Sequence, residues 1–582
     1  MLSLDSIPQE LVVKAILYCD YISIVRFSTT CRLYWVLVGS SSAIQLRIEL
    51  ESSGFQHSDE FYQGAPESTA LELLNQFKRY RDGWLYLKMG SARKLPVDDD
   101  MRLYELRQGY YAAALSSSLN PPGIVKLLEL SSGSSRILSL GLNFSEFQID
   151  ISQELMVLVG IEDSISETST IHFRSALKGS PHEGTQHPSW KVHLPFPMYR
   201  RSSGIFIEVM DDLLAVKYTS FDKDTTEILI WNWKRGVLLN RIPCTGASCT
   251  FGFLTSDSLL LFLSENSEMA GVTLHIYNNI RTPQTPSSDH ARYYRVSLYD
   301  PLLPYAAFEF PAFPPGSMAY LLLRGEPVPT MTRSGSAPFL PCPDVRVLQL
   351  SMTLIQNQGQ ERGLRQYQVF ISKEKLLKHL SILGGRAKES ESSIKVPWSE
   401  WGEYSTRWFA SRSAISPWIC RAYGTRFIQS NPLRDEGDEF PHEYISILDF
   451  HPPTVRRFSS LECDRRLSIW KSKDDRRHID VNSRDEDLEC VLNALRSAQA
   501  DLVKDGDRAF VDTIDEDVPS ETLFNGEIIR SRLPYRIVRR VRPLPKHSGW
   551  MIDNNMIIGM PGDDMENIQH EHMNIYTPYA HG

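Results

Sequence analysis

Over the first fifty positions the apolar residues recur at helical spacing. Asp5 or Ser6 can cap a helix, and Pro8 falls in its first turn, where the missing N–H had no helical partner anyway. Leu11, Val12, Ala15 and Ile16 then form an apolar stripe running to Leu17. Cys19-Asp20-Tyr21 interrupts it. Ser23 is placed to cap a second helix with Ile24, Phe27 and Cys31 at i, i+3 and i+7. Residues 32–38 continue as a third short helix carrying Leu33, Val36 and Leu37. Residues 1–50 therefore predict a three-helix module. Leu4, Ile7, Leu11, Ile16 and Phe27 are more apolar side chains than so small a core hides from every side, which predicts either a helix-packing interface or a cap on a larger domain.

Residues 51–101 read as a helical linker. Positions 52–66 are polar and rich in Gly, Ser and Pro, and the spacing predicts a helix over 66–81. Leu71, Leu74 and Phe77 lie on one side of it, and Lys78, Arg79 and Arg81 near its end suit the helix dipole. Asp98-Asp99-Asp100 reads as a solvated turn.

From residue 102 to 582 the pattern changes to short strands between turn residues. Residues 155–159, 205–209, 227–233, 259–263, 345–350, 444–450 and 552–558 are examples. A polar turn such as Asp211-Asp212 or Ser256-Asp257-Ser258 precedes a strand, and a second strand ends in an aromatic, as in Ile230-Trp231 or Ile575-Tyr576. Such units recur at roughly 45–60 residues, near the length of a propeller blade. A closed ring removes the exposed edges that so many short strands would otherwise leave. The expected fold is thus α+β and multidomain: a three-helix module, a helical linker and a large all-β domain. That domain is expected to be an irregular β-propeller of about six to eight blades, with a β-sandwich array as the alternative. Residues 280–291 and 325–344 read as Pro/Ser/Thr-rich loops. Residues 471–520 read as a charged surface insertion with one amphipathic helix through Leu488, Val491, Leu492, Leu495 and Leu502.

The N-terminal residues resemble a known family. Leu4-Asp5-Ser6-Ile7-Pro8-Gln9-Glu10-Leu11, then Ile16-Leu17, Ile24-Val25-Arg26-Phe27 and Thr30-Cys31-Arg32-Leu33-Tyr34 follow the order and spacing of the F-box. Two positions depart from it: Ile7 replaces the usual leucine before proline, and Tyr34 stands where tryptophan is common, with Trp35 beside it. The resemblance implies docking onto a Skp-type adaptor and through it onto a cullin. The contact set it implies is Leu4, Ile7, Pro8, Glu10, Leu11, Ile16, Leu17, Ile24, Phe27, Cys31, Arg32 and Tyr34. More loosely, Leu229-Ile230-Trp231-Asn232-Trp233 resembles the strand end of WD-repeat blades. The chain as a whole is similar to fungal F-box proteins with degenerate propeller-like bodies, through segments such as Trp401-Gly402-Glu403 and Leu533-Pro534-Tyr535-Arg536.

Composition narrows the picture further. The 582 residues are 42% hydrophobic and 23% charged with a net charge of −9, ordinary for a globular protein and without general attraction for nucleic acid or anionic lipid. The apolar run at 259–263 is far below the ~20 residues of a membrane helix, and no secretory signal is evident. Eight scattered cysteines without a CxxC pair suggest reduced thiols in the cytoplasm or nucleus.

Phosphate loops, nucleophile elbows, HExxH pairs and kinase motifs are absent from the sequence. His570-Glu571-His572 offers two imidazoles but no evident third or fourth ligand. No cofactor or metal is expected. The basic run Arg530, Arg532, Arg536, Arg539, Arg540, Arg542 and Lys546 is the charge feature with binding potential, because guanidinium groups pair bidentately with phosphate. Arg536, Arg539, Arg540 and Arg542 are its cargo-binding candidates, weighed against a solvated strand balanced by Asp515-Glu516-Asp517. The expected function is a non-catalytic substrate-recognition subunit of a Skp–cullin–F-box ubiquitin ligase that binds an unidentified protein. A propeller scaffold outside ubiquitin chemistry is the rival, and a propeller enzyme a more distant third.

Overall fold

The computed structural model describes residues 7–56, 67–98, 100–116, 121–161, 163–200, 203–245, 247–265, 271–283, 292–313, 317–325, 339–358, 361–384, 393–411, 420–432, 442–463, 509–524, 527–540, 544–553, 556–561 and 572–578. Leu4, Arg542, His570, Glu571, most of the charged insertion and much of both Pro/Ser/Thr-rich loops lie outside the described residues.

Among the described residues, five helices open the chain: α1 (Gln9–Ile16), α2 (Tyr21–Ser28), α3 (Arg32–Ser40), α4 (Ser42–Glu51) and α5 (Glu67–Leu85). Pro8 itself stands at the N-cap of α1. Asp20, rather than the expected Ser23, caps α2, its carboxylate accepting from the Ser23 backbone N–H at 2.9 Å. The fourth helix was not expected, because Ile44, Leu46 and Leu50 form no single apolar stripe. They serve two cores instead: Ile44 packs with α1–α3, while Leu46 and Leu50 face the β-domain.

Among the described residues the β-strands form seven sheets of four to six strands each, besides two two-stranded ribbons, Phe55–Gln56 with Leu340–Pro341 and Ser520–Phe524 with Glu527–Ser531. Blade one is Met101–Arg107, Tyr110–Leu115, Ile124–Glu129 and Ser135–Ser139. Blades two and three begin at Glu146–Asp150 and Ser203–Met210, blades four and five at Ala247–Thr255 and Ser317–Arg324, and blades six and seven at Ala422–Tyr423 and Gly549–Asp553. Blades run antiparallel from their first strand outward, apart from parallel edge additions at Tyr293–Arg295 and Ile394–Val396.

The last blade is completed from the other end of the domain. Arg93–Pro96 pairs with His572–Tyr576 as the outer strand of a sheet whose other members are Gly549–Asp553 and Met556–Met560. Part of the expected linker is therefore a strand that closes the ring.

Seven apolar clusters fill the seven seams. One unites blades seven and one through Leu95, Leu106, Tyr111, Met551 and Ile575. The next five lie between consecutive blades, from Val125 and Phe147 in the first to Phe370 and Phe427 in the last. The seventh joins blades six and seven and also takes in α4 and α5 through Leu46, Leu50, Leu74, Phe77, Tyr80 and Trp84. A ring of seven sheets with a core in every seam is a seven-bladed β-propeller.

Innermost strands leave one edge without a ladder partner, and their N–H groups still need acceptors. Side chains from the preceding blade supply them. Ser248 and Thr250 of blade four accept from the Leu321 and Leu323 N–H groups of blade five at 3.1 Å each. Glu208 of blade three accepts from the Phe253 N–H of blade four at 3.0 Å; Asp553 of blade seven accepts at 2.6 Å from the N–H of Gly109, in the turn after the first strand of blade one.

Burial pushes the Glu208 carboxyl up to about 7, with Arg107 and the Phe253 bond only partly opposing it. Because the folded value lies above the unfolded one, this group's contribution is fully present below pH 4.5 and is lost as pH rises through 7. Glu208→Gln keeps the acceptor and removes the charge. The variant is expected to match the parent at pH 5 and to exceed its stability by about 1–3 kcal/mol at pH 8 in urea melts. An equal or weaker variant at pH 8 contradicts this account.

Candidate interaction surface

The N-terminal helices divide the F-box-like residues into two groups. Ile16, Leu17 and Ile24 are buried with Val12, Leu37, Val38 and Ile44 and form the core of the module. Phe27 and Tyr34 are half-buried and pack ring on ring at 4.2 Å between centroids. Ile7, Pro8, Glu10, Leu11, Cys31 and Arg32 are exposed.

Ile16, Leu17 and Ile24 are therefore not available as direct contacts in this conformation, contrary to the set implied by resemblance. They are spent on holding three short helices together, which a module this small needs first.

The outward side is unusually apolar. Eight of the twenty-three large apolar side chains exposed among the described residues fall between positions 7 and 36: Ile7, Leu11, Tyr18, Ile22, Val25, Leu33, Trp35 and Val36. Leu11 is 54% exposed and Trp35 67%. Ile7, Leu11, Ala15 and Tyr18 succeed one another at helical spacing along α1 and the turn after it. Of the apolar residues that the sequence gives the third helix, Leu33 and Val36 face outward and Leu37 is buried. The unexpected α4 packs against α3 and draws Leu37 and Val38 inward. The neighbouring aromatics Tyr34 and Trp35 were the available hint that both sides of this helix are apolar.

The module is fastened to the propeller by charge as well as by core. Glu49 of α4 meets Arg81 of α5 at 2.5 Å and Arg457 of the helix Pro452–Cys463 at 2.8 Å. Although burial opposes it, these two guanidiniums hold the Glu49 carboxyl below its ordinary range. The Glu51 carboxylate accepts from the Tyr21 N–H at 2.8 Å, and Arg47 donates to the Leu17 carbonyl. At the base of α5 the buried Arg426 guanidinium lies 4.6 Å from the Trp84 ring centroid and 5.2 Å from that of Phe55, and it donates to the Tyr80 hydroxyl at 3.1 Å. These contacts make α4 and α5 a braced joint.

The arginine run does not form the expected cargo surface. Tyr535–Arg540 is an interior strand of blade six, between His442–Asp449 and Ala509–Ile514. With a strand on each side and blades against both faces, Arg536 is 1% exposed and Arg539 6%. Arg536 lies over the Tyr86 ring, and Arg539 donates to the Ser446 hydroxyl at 2.9 Å. Burial lowers Arg539 to about 10. Arg540 is half-buried. Arg530 and Arg532 are paired with Glu521 and Glu403. Arg536 and Arg539 are interior groups of the blade and are withdrawn as cargo contacts.

His572 is exposed on the strand next to Arg93–Pro96. Among the described residues, no three His, Cys, Asp or Glu side chains group as metal ligands, and no helix is long and apolar enough to cross a membrane.

No known family and no curated protein matches the chain. Among solved structures it is similar to the β-propeller domain of the Trilobed protease from Pyrococcus furiosus, at 8% identity and a TM-score of 0.25, over 62% of this chain and 90% of that one. It is likewise similar to the protein lmo1340 from Listeria monocytogenes EGD-e, at 10% identity and a TM-score of 0.23, over 61% and 94% of the two chains. A prolyl endopeptidase matches at 10% identity and a TM-score of 0.24, over 62% of this chain and 46% of its own. Scores this low carry nothing about activity, and the ring is established by its own sheets and seams.

Proposed function

We propose that this chain is the substrate receptor of a Skp–cullin–F-box ubiquitin ligase, with the N-terminal helices docking on the adaptor and the propeller holding the protein to be modified. The observation that carries the reading is the exposed apolar surface of α1–α3, on the same helices whose sequence follows the F-box pattern. A soluble domain rarely leaves so many large side chains in water on so short a segment unless a partner covers them. The braced joint at Glu49 and Arg426 supports it, because a receptor acts by holding its cargo at a set distance from the conjugating enzyme. On this reading the chain supplies binding energy and effective concentration, and the chemistry belongs to its partners.

The reading is tested by capture of a purified Skp-type adaptor. Pro8→Ala with Leu11→Ala, and separately Trp35→Ala, remove exposed surface only. Each is expected to weaken capture at least tenfold while moving stability by no more than about 0.5 kcal/mol. Intact, folded protein that captures no adaptor sinks the ligase reading and leaves a propeller scaffold outside ubiquitin chemistry.

A further inference from the structure

The seam between blades five and six changes character along its length. Its apolar cluster gathers toward one end, where the Phe370 ring of blade five and the Phe427 ring of blade six lie 4.9 Å apart between centroids. Residues directly opposite on a ladder share a face of the sheet, and along a strand that face recurs every second residue. From Phe370 onward, blade five therefore turns to the seam Gln368 beside Ser351, then Gln366 beside Thr353 and Tyr320. From Phe427 onward, blade six presents Gln429, Ser446 and Arg539 side by side on three neighbouring strands. Apart from Phe409 and Leu322 at their margins, these rows are lined by amides, hydroxyls and one guanidinium.

Hydrogen-bonding capacity is left over there. Gln349, in the row of Phe370, donates to the Ser351 hydroxyl at 2.8 Å, but its own side-chain oxygen is buried with no hydrogen-bond partner, as is the Thr353 hydroxyl. Arg539 donates through Nε to the Ser446 hydroxyl at 2.9 Å, and among the described residues no carboxylate pairs with it. Among the described residues of these rows it is the one charged side chain. A buried guanidinium without a counter-ion favours an anion beside it, and its planar fork of N–H donors matches an oxyanion. The burial that withdraws Arg539 from a protein partner leaves it within reach of a small molecule, because the same face reaches solvent at its polar end. Tyr320 is exposed there, as are Met318 and Leu364 one row further.

We propose that the polar end of the seam between blades five and six binds a small hydroxy-carboxylate. The Arg539 guanidinium takes the carboxylate, and the Thr353 hydroxyl with the Gln366 and Gln368 amides takes the hydroxyl groups. One fixed positive charge balances one carboxylate, whereas phosphate brings more than one negative charge to a site with a single cation. A ligand held by residues of both blades is bound by the ring itself, so the site does not depend on the adaptor surface of α1–α3.

Full-length protein at neutral pH is titrated by calorimetry with acetate, L-lactate and D-gluconate. D-sorbitol, which carries the hydroxyls of gluconate without its charge, is titrated beside them. Gluconate is expected to saturate at one molecule per chain and to bind more tightly than acetate, with sorbitol weaker by roughly tenfold or more. Arg539→Gln is expected to lose gluconate binding by the same factor. No saturable binding of any of the three acids overturns the proposal. Sorbitol matching gluconate overturns it too, as does inorganic phosphate binding more tightly than gluconate. An Arg539→Gln variant that folds and binds gluconate like the parent overturns the placement of the site. Gln366 is only half-buried, so Gln366→Ala tests that placement even where the arginine variant does not fold. It is expected to weaken gluconate several-fold, and unchanged affinity removes the site from this seam. The comparison of acid with alcohol needs the parent alone.

Discussion

A chain lacking residues 1–97 loses cooperative unfolding altogether, whereas one lacking residues 1–40 still unfolds in a single cooperative transition. The two cuts differ in what they take from the ring. The shorter one removes α1–α3, whose apolar cluster touches the rest of the protein through α4, and it leaves the seven seams intact. The longer one also takes α4, α5 and the strand Arg93–Pro96. Blade seven then ends on an unpaired His572–Tyr576, and the seam between blades six and seven loses Phe77, Tyr80 and Trp84 along with Leu46 and Leu50. Removing a buried aromatic side chain costs about 3–5 kcal/mol. Three of them approach the whole net stability of a typical domain, roughly 5–15 kcal/mol. The open edge of blade seven adds a template for aggregation. Thermal melts followed by circular dichroism distinguish the two cases. A sharp transition in the longer truncation refutes the role assigned to the closing strand.

The closing strand also shows where reading the chain by its residues reaches its limit. The propeller was legible because short apolar runs between turn residues, such as the one realised as Leu155–Ile161, are a local property that recurs at blade spacing. Arg93-Lys94-Leu95-Pro96 has one buried side chain, Leu95, and two basic residues, so nothing local marks it as a strand. It is a strand because His572–Tyr576 lies beside it, nearly five hundred residues away in sequence. The arginine run failed for the complementary reason. Its strand character was read correctly, but whether a strand lies at an edge or in the interior depends on its neighbours. One of these, Ala509–Ile514, comes from within the stretch 471–520 that the sequence reads as a charged surface insertion, which is to that extent part of blade six. In the N-terminal module the helices were legible from their stripes, but the sorting of apolar residues into core and surface was not. Leu33, Val36 and Leu37 read alike along the third helix, because α4, the helix that sets which side of α3 is covered, has no stripe to announce it.

Glu443→Ala is expected to destabilise the protein by about 3–5 kcal/mol, with Glu443→Gln costing no more than about 1 kcal/mol. Glu443 sits on the blade-six strand His442–Asp449, 3% exposed, and reaches across the seam to the start of blade seven. One carboxylate oxygen, Oε1, accepts from the Trp550 indole N–H at 2.6 Å and from the His547 backbone N–H at 2.8 Å. Both donors are buried, so alanine leaves two N–H groups without their acceptor and a void beside the indole. Glutamine keeps an oxygen in the same place, and both donors can still use it. The His547 ring cannot take over, because its Nδ1 lies 2.6 Å from the Pro545 carbonyl and its Nε2 2.8 Å from the Asn574 amide. Nor can the backbone close inward at Gly559, where even a Cβ would lie 2.4 Å from the His547 ring. Urea midpoints at pH 7 for the parent and both variants measure the two costs. Equal losses for alanine and glutamine trace the effect to the charge rather than to the shared acceptor. An alanine variant within 1 kcal/mol of the parent means that the seam repacks, and that the closure of the ring under the helical joint does not depend on this carboxylate.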